Sequence, residues 1–435
     1  MSPRLPLVVI LGATGSGKTK LSLELAKLFS GEIIGADSMQ VYKSLDIITA
    51  KATKEEQSAA PHHLIDILNP NETFTVVEYK KRALGIIETL LKNRKLPIVV
   101  GGTNYYIESL LWKILIDDSE YSKIPGLLPN NDHELPSEEL HKKLKSLDPV
   151  MAKRLHPNNK RKILRSLEIL YKRGKKHSEF LEEQQASRDG SKSGGGLRFS
   201  NSVVLWLQCD QEILDKRLDD RVDDMLKQGL INELLEFHKI YNEKRLIANE
   251  EADYTKGIFQ SIGFKEFHPF LILNENEKNS EEGQKKLKEG IEQLKMATRR
   301  YARKQKRWIV NRFLGRQDRQ VPPIYGLDTS DVSQWEDKVS KKAEQIVRSF
   351  INNTRCCYES LPKQKVDSNP NSEDITFTCE ICDRVFVGQF QWTVHLKSNK
   401  HKKMLESKCK KEKKKSYEII NKEKNYSFVF LINLF

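Results

Sequence analysis

The stretch LGATGSGKTK, residues 11–20, decides the fold of this chain. Four of its residues, Gly12, Gly17, Lys18 and Thr19, form the pattern G-x-x-x-x-G-K-T. The apolar run PLVVI precedes the pattern and the leucine-bearing segment KLSLELAKLF follows it, which predicts a buried strand, a glycine turn and a helix. Backbone N–H groups of such a turn, together with the helix N-terminus, bind phosphate. The sequence therefore predicts a phosphate site over residues 12–19.

Strands and helices continue to alternate after this loop. Short apolar runs occur in GEIIGADS (31–38), PIVVGG (97–102) and SVVLWLQCD (202–210), with helical patterns between them. The alternation predicts a doubly wound parallel sheet of the α/β class, built from residues 1–114 and 201–320, with basic helices in the second part. The charged, mostly helical residues 115–200 predict an inserted helical subdomain, which closes in the flexible loop DGSKSGGG.

The C-terminal part of the chain carries a metal-ligand pattern. We expect a linker over residues 321–375, a small module over 376–405 and a basic tail over 406–435. The module contains Cys379-x₂-Cys382-x₁₂-His395-x₅-His401. This spacing predicts a closed tetrahedral Zn²⁺ site in a ββα-type C2H2 finger, and a domain of this size needs the metal to fold. Fingers of this kind bind RNA, DNA or protein, but a single finger reads too few bases to specify a DNA site.

Charge and cysteine content limit the classes of partner and compartment. The 435 residues include 74 Lys and Arg against 60 Asp and Glu, a net charge of +14, which favours a polyanionic partner such as nucleic acid. Six cysteines in a chain of this length do not form a disulfide framework, so we expect a reducing compartment. We expect no cleavable presequence in this form and no membrane span. The cytosol is the default compartment, and the nucleus and mitochondria stay open.

The polar residues near the loop suggest its chemistry. Lys18 would reach terminal phosphate oxygens, and Thr19 would ligate Mg²⁺. Nucleotide hydrolases carry a second strand that ends in an Mg²⁺-binding aspartate, but the strand PIVVGG ends in Gly101 and Gly102. The loop is therefore open to a diphosphate other than that of a nucleotide. Asp37 follows a strand at the edge where ligands bind, so it is either a general base or an ordinary turn residue.

Several further motifs occur in a fixed order. They are GATGSGKT, ADSMQVYKSLDIITAK, PHHL, VVGGTNYYIESLL, HPNNKRKILRSLEIL, RLDDRVDDMLKQGLINEL, FQSIGFKEF and TRRYARKQKRWI. Over about residues 6–315 the chain closely resembles the tRNA dimethylallyltransferases, also called tRNA isopentenyltransferases. The finger after them is similar to that of the eukaryotic branch of this family.

The resemblance implies a prenyl transfer. Members move the dimethylallyl group of dimethylallyl diphosphate to N6 of adenosine 37, in tRNAs that read codons beginning with U. It implies that Lys18, Thr19 and Arg221 neutralise the departing diphosphate with Mg²⁺, that Asp37 is the base, and that Thr103 lies near the reaction channel. The implied diphosphate cradle consists of Gly12, Ala13, Thr14, Gly15, Ser16, Gly17, Lys18 and Thr19.

The resemblance also implies where tRNA binds. Adenosine 37 must leave the stacked anticodon arm to reach a pocket, where the family segment around Ser38 meets it. A charged helix face is usually only a solvated face, but the family places tRNA contacts on HPNNKRKILRSLEIL. FQSIGFKEF and TRRYARKQKRW, with Tyr301 and Trp308 as stacking aromatics, are similar to tRNA-facing parts. The implied contacts are Asp37, Ser38, Met39, Gln40, Arg161, Lys162, Ile163, Leu164, Arg165 and Gln260.

Other functions remain open from the sequence. One is a phosphate-loop kinase of small molecules, and another is prenylation of free adenine nucleotides. The basic insertion and the finger favour a macromolecular acceptor instead. A third is a non-catalytic RNA-binding regulator, which the intact Thr19, Asp37 and Arg221 argue against. We expect a monomer with no membrane partner.

Overall fold

The structure is a computed structural model that describes residues 5–113, 132–186, 195–241, 254, 256–315, 319–363, 376–382 and 384–409. The predicted tail beyond residue 409, the predicted linker over residues 364–375 and most of the predicted loop DGSKSGGG lie outside these residues. The chain divides into two compact units, Met1–Asp117 with Gln184–Lys365 and Asp118–Glu183 with Val366–Phe435. In the part that the structure describes, no helix is both long enough and apolar enough to span a membrane.

The first unit is built on a six-stranded sheet in the order β3-β2-β4-β1-β5-β6. Every neighbouring pair in it is parallel, which confirms the predicted fold class. The strands are β1 Leu7–Gly12, β2 Glu32–Gly35, β3 His62–His63, β4 Pro97–Val100, β5 Ser202–Gln208 and β6 Ile324–Asp328.

Helices cover the sheet of the first unit, and further helices belong to the second unit. The helices of four or more residues, numbered along the described chain, are α1 Lys18–Phe29, α2 Lys54–Ala59, α3 Val76–Lys92, α4 Asn104–Leu111, α5 Ser137–Leu147, α6 Pro149–Arg154, α7 Lys160–Arg173, α8 His177–Ala186, α9 Gln211–Lys227, α10 Leu230–Tyr241, α11 His268–Leu271, α12 Glu275–Lys278, α13 Glu281–Ile309, α14 Lys341–Asn352 and α15 Gln389–Lys397. Short 3₁₀ turns lie at Gly257–Gln260 and Val332–Gln334, and π-helical turns at Val310–Leu314 and Glu336–Ser340.

The central strand β1 is buried on both faces. Its residues Val8 and Ile10 join one apolar cluster with α1 and α14, whereas Leu7, Val9 and Leu11 join another with α3 and α4. A strand whose alternate side chains all meet apolar neighbours reads as a continuous hydrophobic run. This burial explains why PLVVI predicts its strand, and it fixes the phosphate loop at the carboxyl edge of the sheet.

The predicted linker over residues 321–375 is wrong over its first half. Ile324–Asp328 pairs in parallel with β5 as the edge strand β6. Lys341–Asn352 forms α14, whose Ala343, Ile346 and Val347 are fully buried at helical spacing. Pro322 and Pro323 precede the strand and so cost it no ladder hydrogen bond.

The second unit holds the inserted helices and the finger. Helices α5, α6 and α7 pack around Leu140, Leu144, Met151, Ile163 and Leu167. The finger is an antiparallel hairpin of β7 Thr376–Cys379 and β8 Arg384–Val387, followed by α15. The Thr376 hydroxyl at the start of β7 donates to the Lys153 carbonyl in α6 at 3.0 Å.

A ladder of ion pairs joins α9 to α13. Asp215 pairs with Arg303 and Asp219 with Arg299, and Asp223 lies 2.7 Å from Lys295. Each partner is four residues from the next on its own helix, so the pairs lie along one face of each helix. Two arginines of the run TRRYARKQKRW therefore pair with α9, where the sequence predicted a tRNA-facing surface.

Candidate active site

The phosphate loop joins β1 to α1 in the predicted way. Gly15 and Gly17 have φ angles of 79° and 90°, in the left-handed region that favours glycine. The Lys18 ammonium donates to the carbonyls of Gly12 and Ala13, at 3.1 and 2.9 Å. The loop therefore encloses its own lysine at the N-terminus of α1.

The turns that carry Asp37 and Thr103 meet at the carboxyl edge of the sheet, after β2 and β4. The Met39 N–H donates to Asp37 Oδ1 at 3.0 Å, which is the ordinary turn role of an aspartate. The Ser38 N–H donates to Thr103 Oγ1 at 3.0 Å, which holds the two turns together. The other Asp37 oxygen, Oδ2, lies beside Gly102, where an added Cβ would be only 3.1 Å away. One carboxylate thus supports the turn and still faces the neighbouring loop.

Helices α9 and α13 close the site from the other side. Arg221 of α9 donates to the Thr14 hydroxyl at 3.2 Å. Tyr301 of α13 donates from its hydroxyl to the Gly102 carbonyl at 3.3 Å. The ion-pair ladder joins α9 to α13, so Arg221 reaches the phosphate loop and Tyr301 reaches the turn after β4 from two paired helices.

These elements surround a cavity of about 710 Å³. Of the predicted site residues, it is lined by Thr14, Gly15, Gly17, Lys18, Thr19, Asp37, Ser38, Met39, Gln40, Arg221 and Gln260. The remaining loop residues Gly12, Ala13 and Ser16 do not line the cavity, and Thr103 is joined to the lining through its bond to Ser38. The Gln40 amide donates to the carbonyls of Thr49 and Ala50, so it also orders the adjoining loop.

The cavity favours an anion. Burial lowers the pKa of Lys18 to about 8, an effect that Arg221 reinforces and the Asp37 carboxylate opposes. Burial likewise lowers the pKa of Arg221, again opposed by Asp37. Burial, and then the charge of Asp37, raise the pKa of Tyr301, which therefore stays a neutral donor. Two half-buried cations share one carboxylate here, so a bound diphosphate would neutralise charge that Asp37 leaves uncompensated.

We expect the affinity for inorganic diphosphate to fall as pH rises through about 8, where Lys18 loses its proton. Between pH 7 and 9 the protonated fraction of such a group drops about tenfold. The measurement is the ratio of the dissociation constants of Lys18→Met and wild type, with Mg²⁺, at each pH. This ratio cancels the ionisation of the ligand. A ratio that stays constant over this range would contradict the assignment.

Residues 161–165 lie in the second unit, on α7. Arg161 and Lys162 are exposed, Leu164 is half-buried and Arg165 lies 3.4 Å from Glu168. Ile163 is fully buried in the helical core. The predicted tRNA contact at Ile163 is therefore wrong for its side chain, because the apolar positions of an amphipathic helix face inward.

The finger brings its four predicted ligands together. The ligand atoms of Cys379, Cys382, His395 and His401 all lie within 4.8 Å of one another. The Nε2 atom of His395 is buried with no hydrogen-bond partner in the described structure, as expected for an atom that ligates a metal. Phe386 stacks on the His395 ring at 4.0 Å between centroids. Two thiolates and two imidazoles in this arrangement fit structural Zn²⁺.

Two residues near the loop were not predicted as site residues. Gln305 accepts a hydrogen bond from the Thr14 N–H at 2.9 Å. Trp335 covers Gly17, donates to Glu24 at 3.0 Å and lies 4.6 Å beneath the Lys20 ammonium. A signal for Gln305 was present, since Leu294, Thr298, Tyr301 and Gln305 form the uncharged stripe of a basic helix. Trp335 is a lone tryptophan in the predicted linker and has no such signal.

The fold and the cavity define a phosphate-loop protein of the α/β class in which β4 is followed by Gly101 and Gly102 and lacks the metal-binding aspartate of the nucleotide hydrolases. A family model described as IPP transferase matches residues 40–312, and one described as zinc-finger double-stranded RNA-binding matches residues 376–402. The chain belongs to the tRNA dimethylallyltransferase family, as these matches and the following relatives show. It is an enzyme, and its reaction is the transfer of a dimethylallyl group to tRNA.

Relatives with this name match most of the chain. The tRNA dimethylallyltransferase of Mus musculus is 49% identical over 401 residues, 91% of this chain and 85% of the relative. That of Saccharomyces cerevisiae is 34% identical over 96% of each chain. A crystal structure described as a eukaryotic dimethylallyltransferase acting on tRNA is 32% identical, with a TM-score of 0.76, and covers 95% of this chain and 100% of that one.

Proposed function

We propose that this enzyme takes the dimethylallyl group from dimethylallyl diphosphate and attaches it to N6 of adenosine 37, in tRNAs that read codons beginning with U. The product would be N6-isopentenyladenosine. The observation that carries the proposal is the convergence of the phosphate loop, Arg221 and Asp37 in one cavity. Such a site can hold a departing diphosphate and accept a proton within the same enclosure.

On the donor side, the task is to stabilise negative charge. As the allylic C–O bond breaks, charge develops on the diphosphate, and Lys18 with Arg221 offsets it in a buried site. The loop N–H groups contribute through the N-terminus of α1. Thr19 lines the cavity and supplies the hydroxyl oxygen that Mg²⁺ prefers, and bound Mg²⁺ would add neutralising charge.

On the acceptor side, the task is to remove a proton. The exocyclic amine of adenine is a weak nucleophile and loses a proton on alkylation. Asp37 would receive that proton, while the Met39 N–H and the neighbouring Thr103–Ser38 bond keep its turn in place. Adenosine 37 would enter as an extruded base and meet Ser38, Met39 and Gln40, which line the cavity.

Further contacts would hold the rest of the tRNA. We assign this role to the exposed Arg161 and Lys162, to Leu164 and Arg165 on the same helix, and to Gln260 in the cavity wall. The finger would grip tRNA away from the reaction centre, because its matching family model is described as double-stranded RNA-binding and an anticodon stem is a duplex. We further propose a monomer that acts in the cytoplasm, with the nucleus and mitochondria as alternatives for imaging to decide.

We expect Arg161→Ala and Lys162→Ala to weaken tRNA binding, each lowering the salt dependence of log Kd by about one phosphate contact. The matched control is Lys145→Ala, which removes an exposed lysine of α5 in the same unit. Ile163→Ala should instead lower the free energy of unfolding by about 2–5 kcal/mol through a core cavity. A titration of tRNA binding at several salt concentrations checks the prediction for Arg161 and Lys162. Equal salt slopes for Lys162→Ala and Lys145→Ala would refute the contact between Lys162 and tRNA.

The function itself is tested by incubating the purified protein with Mg²⁺, labelled dimethylallyl diphosphate and unmodified tRNA carrying A36-A37-A38. Parallel reactions hold AMP, or ATP without the prenyl donor. Label on tRNA, lost when A37 is changed, is the expected result. Label on AMP would make the acceptor a free nucleotide, and phosphate released from ATP without prenyl transfer would return the loop to nucleotide chemistry.

A further inference from the structure

A single carboxamide connects the two halves of the active site. The Oε1 atom of Gln305 accepts from the Thr14 N–H in the phosphate loop at 2.9 Å, and its Nε2 donates to the Gly102 carbonyl at 3.0 Å. The carboxamide of Asn or Gln offers a neutral acceptor and a neutral donor on one planar group. Gln305 therefore joins the loop after β1 to the turn after β4 through one rigid unit.

The surroundings hold this carboxamide in place. Gln305 is 3% exposed, and its backbone carbonyl accepts a hydrogen bond from the side-chain amide of Asn104 at 3.3 Å. Tyr301, one turn earlier on α13, donates to the same Gly102 carbonyl. A Cβ added at Gly102 would lie 2.5 Å from the Gln305 amide nitrogen and 3.1 Å from Asp37 Oδ2. The bridge therefore runs directly beside the carboxylate that receives the proton.

We propose that Gln305 is a positioning residue of the transfer reaction, which sets the distance between the phosphate loop and the Gly102–Thr103 turn beside Asp37. This inference rests on the proposed function. In the transfer, the C–O bond to diphosphate breaks, a C–N bond to N6 forms and the N6 proton passes to Asp37. The donor is held by the phosphate loop and the acceptor by the turns, so the spacing of these two parts sets the distance between the allylic carbon and N6. An error of about 1 Å in that distance costs about 100-fold in rate.

A looser spacing has a distinct chemical consequence. The diphosphate can still leave, but water attacks the allylic carbon when N6 is too far away to do so. The same C–O bond breaks, a water oxygen bonds to the carbon and the water proton passes to solvent. The products are dimethylallyl alcohol and diphosphate. The ratio of alcohol to prenylated tRNA therefore reports on spacing, whereas a loss of folded enzyme lowers both products equally.

The experiment compares Gln305→Met with Gln293→Met, the same substitution at an exposed position of the same helix. Single turnovers at saturating donor and tRNA, with labelled dimethylallyl diphosphate, measure both products. We expect Gln305→Met to slow transfer by up to about 100-fold and to raise the alcohol-to-tRNA ratio, with Gln293→Met like wild type. Gln305→Glu, which keeps the size and the acceptor but loses the donor to Gly102, should also raise the ratio.

The outcomes separate this inference from the proposed function. If wild type prenylates tRNA and both Gln305 variants keep its product ratio, whatever their rates, the positioning role is overturned and the proposed function stands. If wild type releases diphosphate but prenylates no tRNA, the proposed function fails and the inference fails with it. A raised ratio in a variant that melts at the wild-type temperature supports the role.

Discussion

Asp37→Asn is expected to lower the rate of dimethylallyl transfer by about 1000-fold, within the range for loss of a general base, while tRNA affinity is unchanged. Asparagine keeps the Oδ1 acceptor, so the Met39 N–H bond and the turn survive. What it loses is the ability to take the N6 proton. The variant therefore separates the turn role of this residue from its chemical role, which the sequence alone left as alternatives.

The matched control for this variant is Asp224→Asn, which makes the same charge change in the wall of the same cavity. Asp224 pairs only with the exposed Lys227 among the ion pairs of the described residues. Single-turnover rates with saturating substrates, together with tRNA binding by titration, measure the two effects apart. Equal rates for Asp37→Asn and Asp224→Asn would contradict the base assignment. The Asp37 carboxylate would then only stabilise its turn or contribute negative charge to the cavity, and another group would remove the proton.

The donor half of the site could be predicted because its signals are local. Gly12 to Thr19 are contiguous, and the conformation of Gly15 and Gly17 follows from residue type. Strands that are buried on both faces occur in the sequence as apolar runs, so the core of the sheet could also be predicted. Asp37 could be placed at the carboxyl edge because it follows one of these apolar runs, and the carboxyl ends of parallel strands all lie at the same edge of the sheet.

The parts that were missed depend on contacts between distant residues. Strand β6 follows two prolines and pairs with a partner more than a hundred residues away, so its short run IYGLD carries little signal. Gln305 meets Thr14 across 291 residues. Arg299 and Arg303 look like nucleic-acid contacts until α9 presents aspartates at the same spacing. Such partners are set by tertiary packing, which no local pattern contains.

Removal of zinc is expected to unfold the finger while the six-stranded unit stays folded. Structural zinc supplies about 10–16 kcal/mol to a domain of this type, more than a hairpin and one helix retain without it. The apolar contacts that remain are few, chiefly Phe377 and Phe386 around Trp392. We therefore expect Cys382→Ser to lose zinc and to become sensitive to protease over residues 376–402.

The matched control is Cys409→Ser, because Cys409 is an exposed thiol just beyond the finger. It should keep one zinc per chain, and its cobalt-substituted form should keep the thiolate absorption that Cys382→Ser loses. If the finger grips tRNA, Cys382→Ser should also weaken tRNA binding about tenfold, a free energy of about 1.4 kcal/mol, while the rate at saturating tRNA is kept. The finger and the cavity belong to separate compact units, so we expect loss of the finger to leave the rate at saturating tRNA unchanged. A fall in that rate would contradict this and show that the finger also contributes to the transfer step.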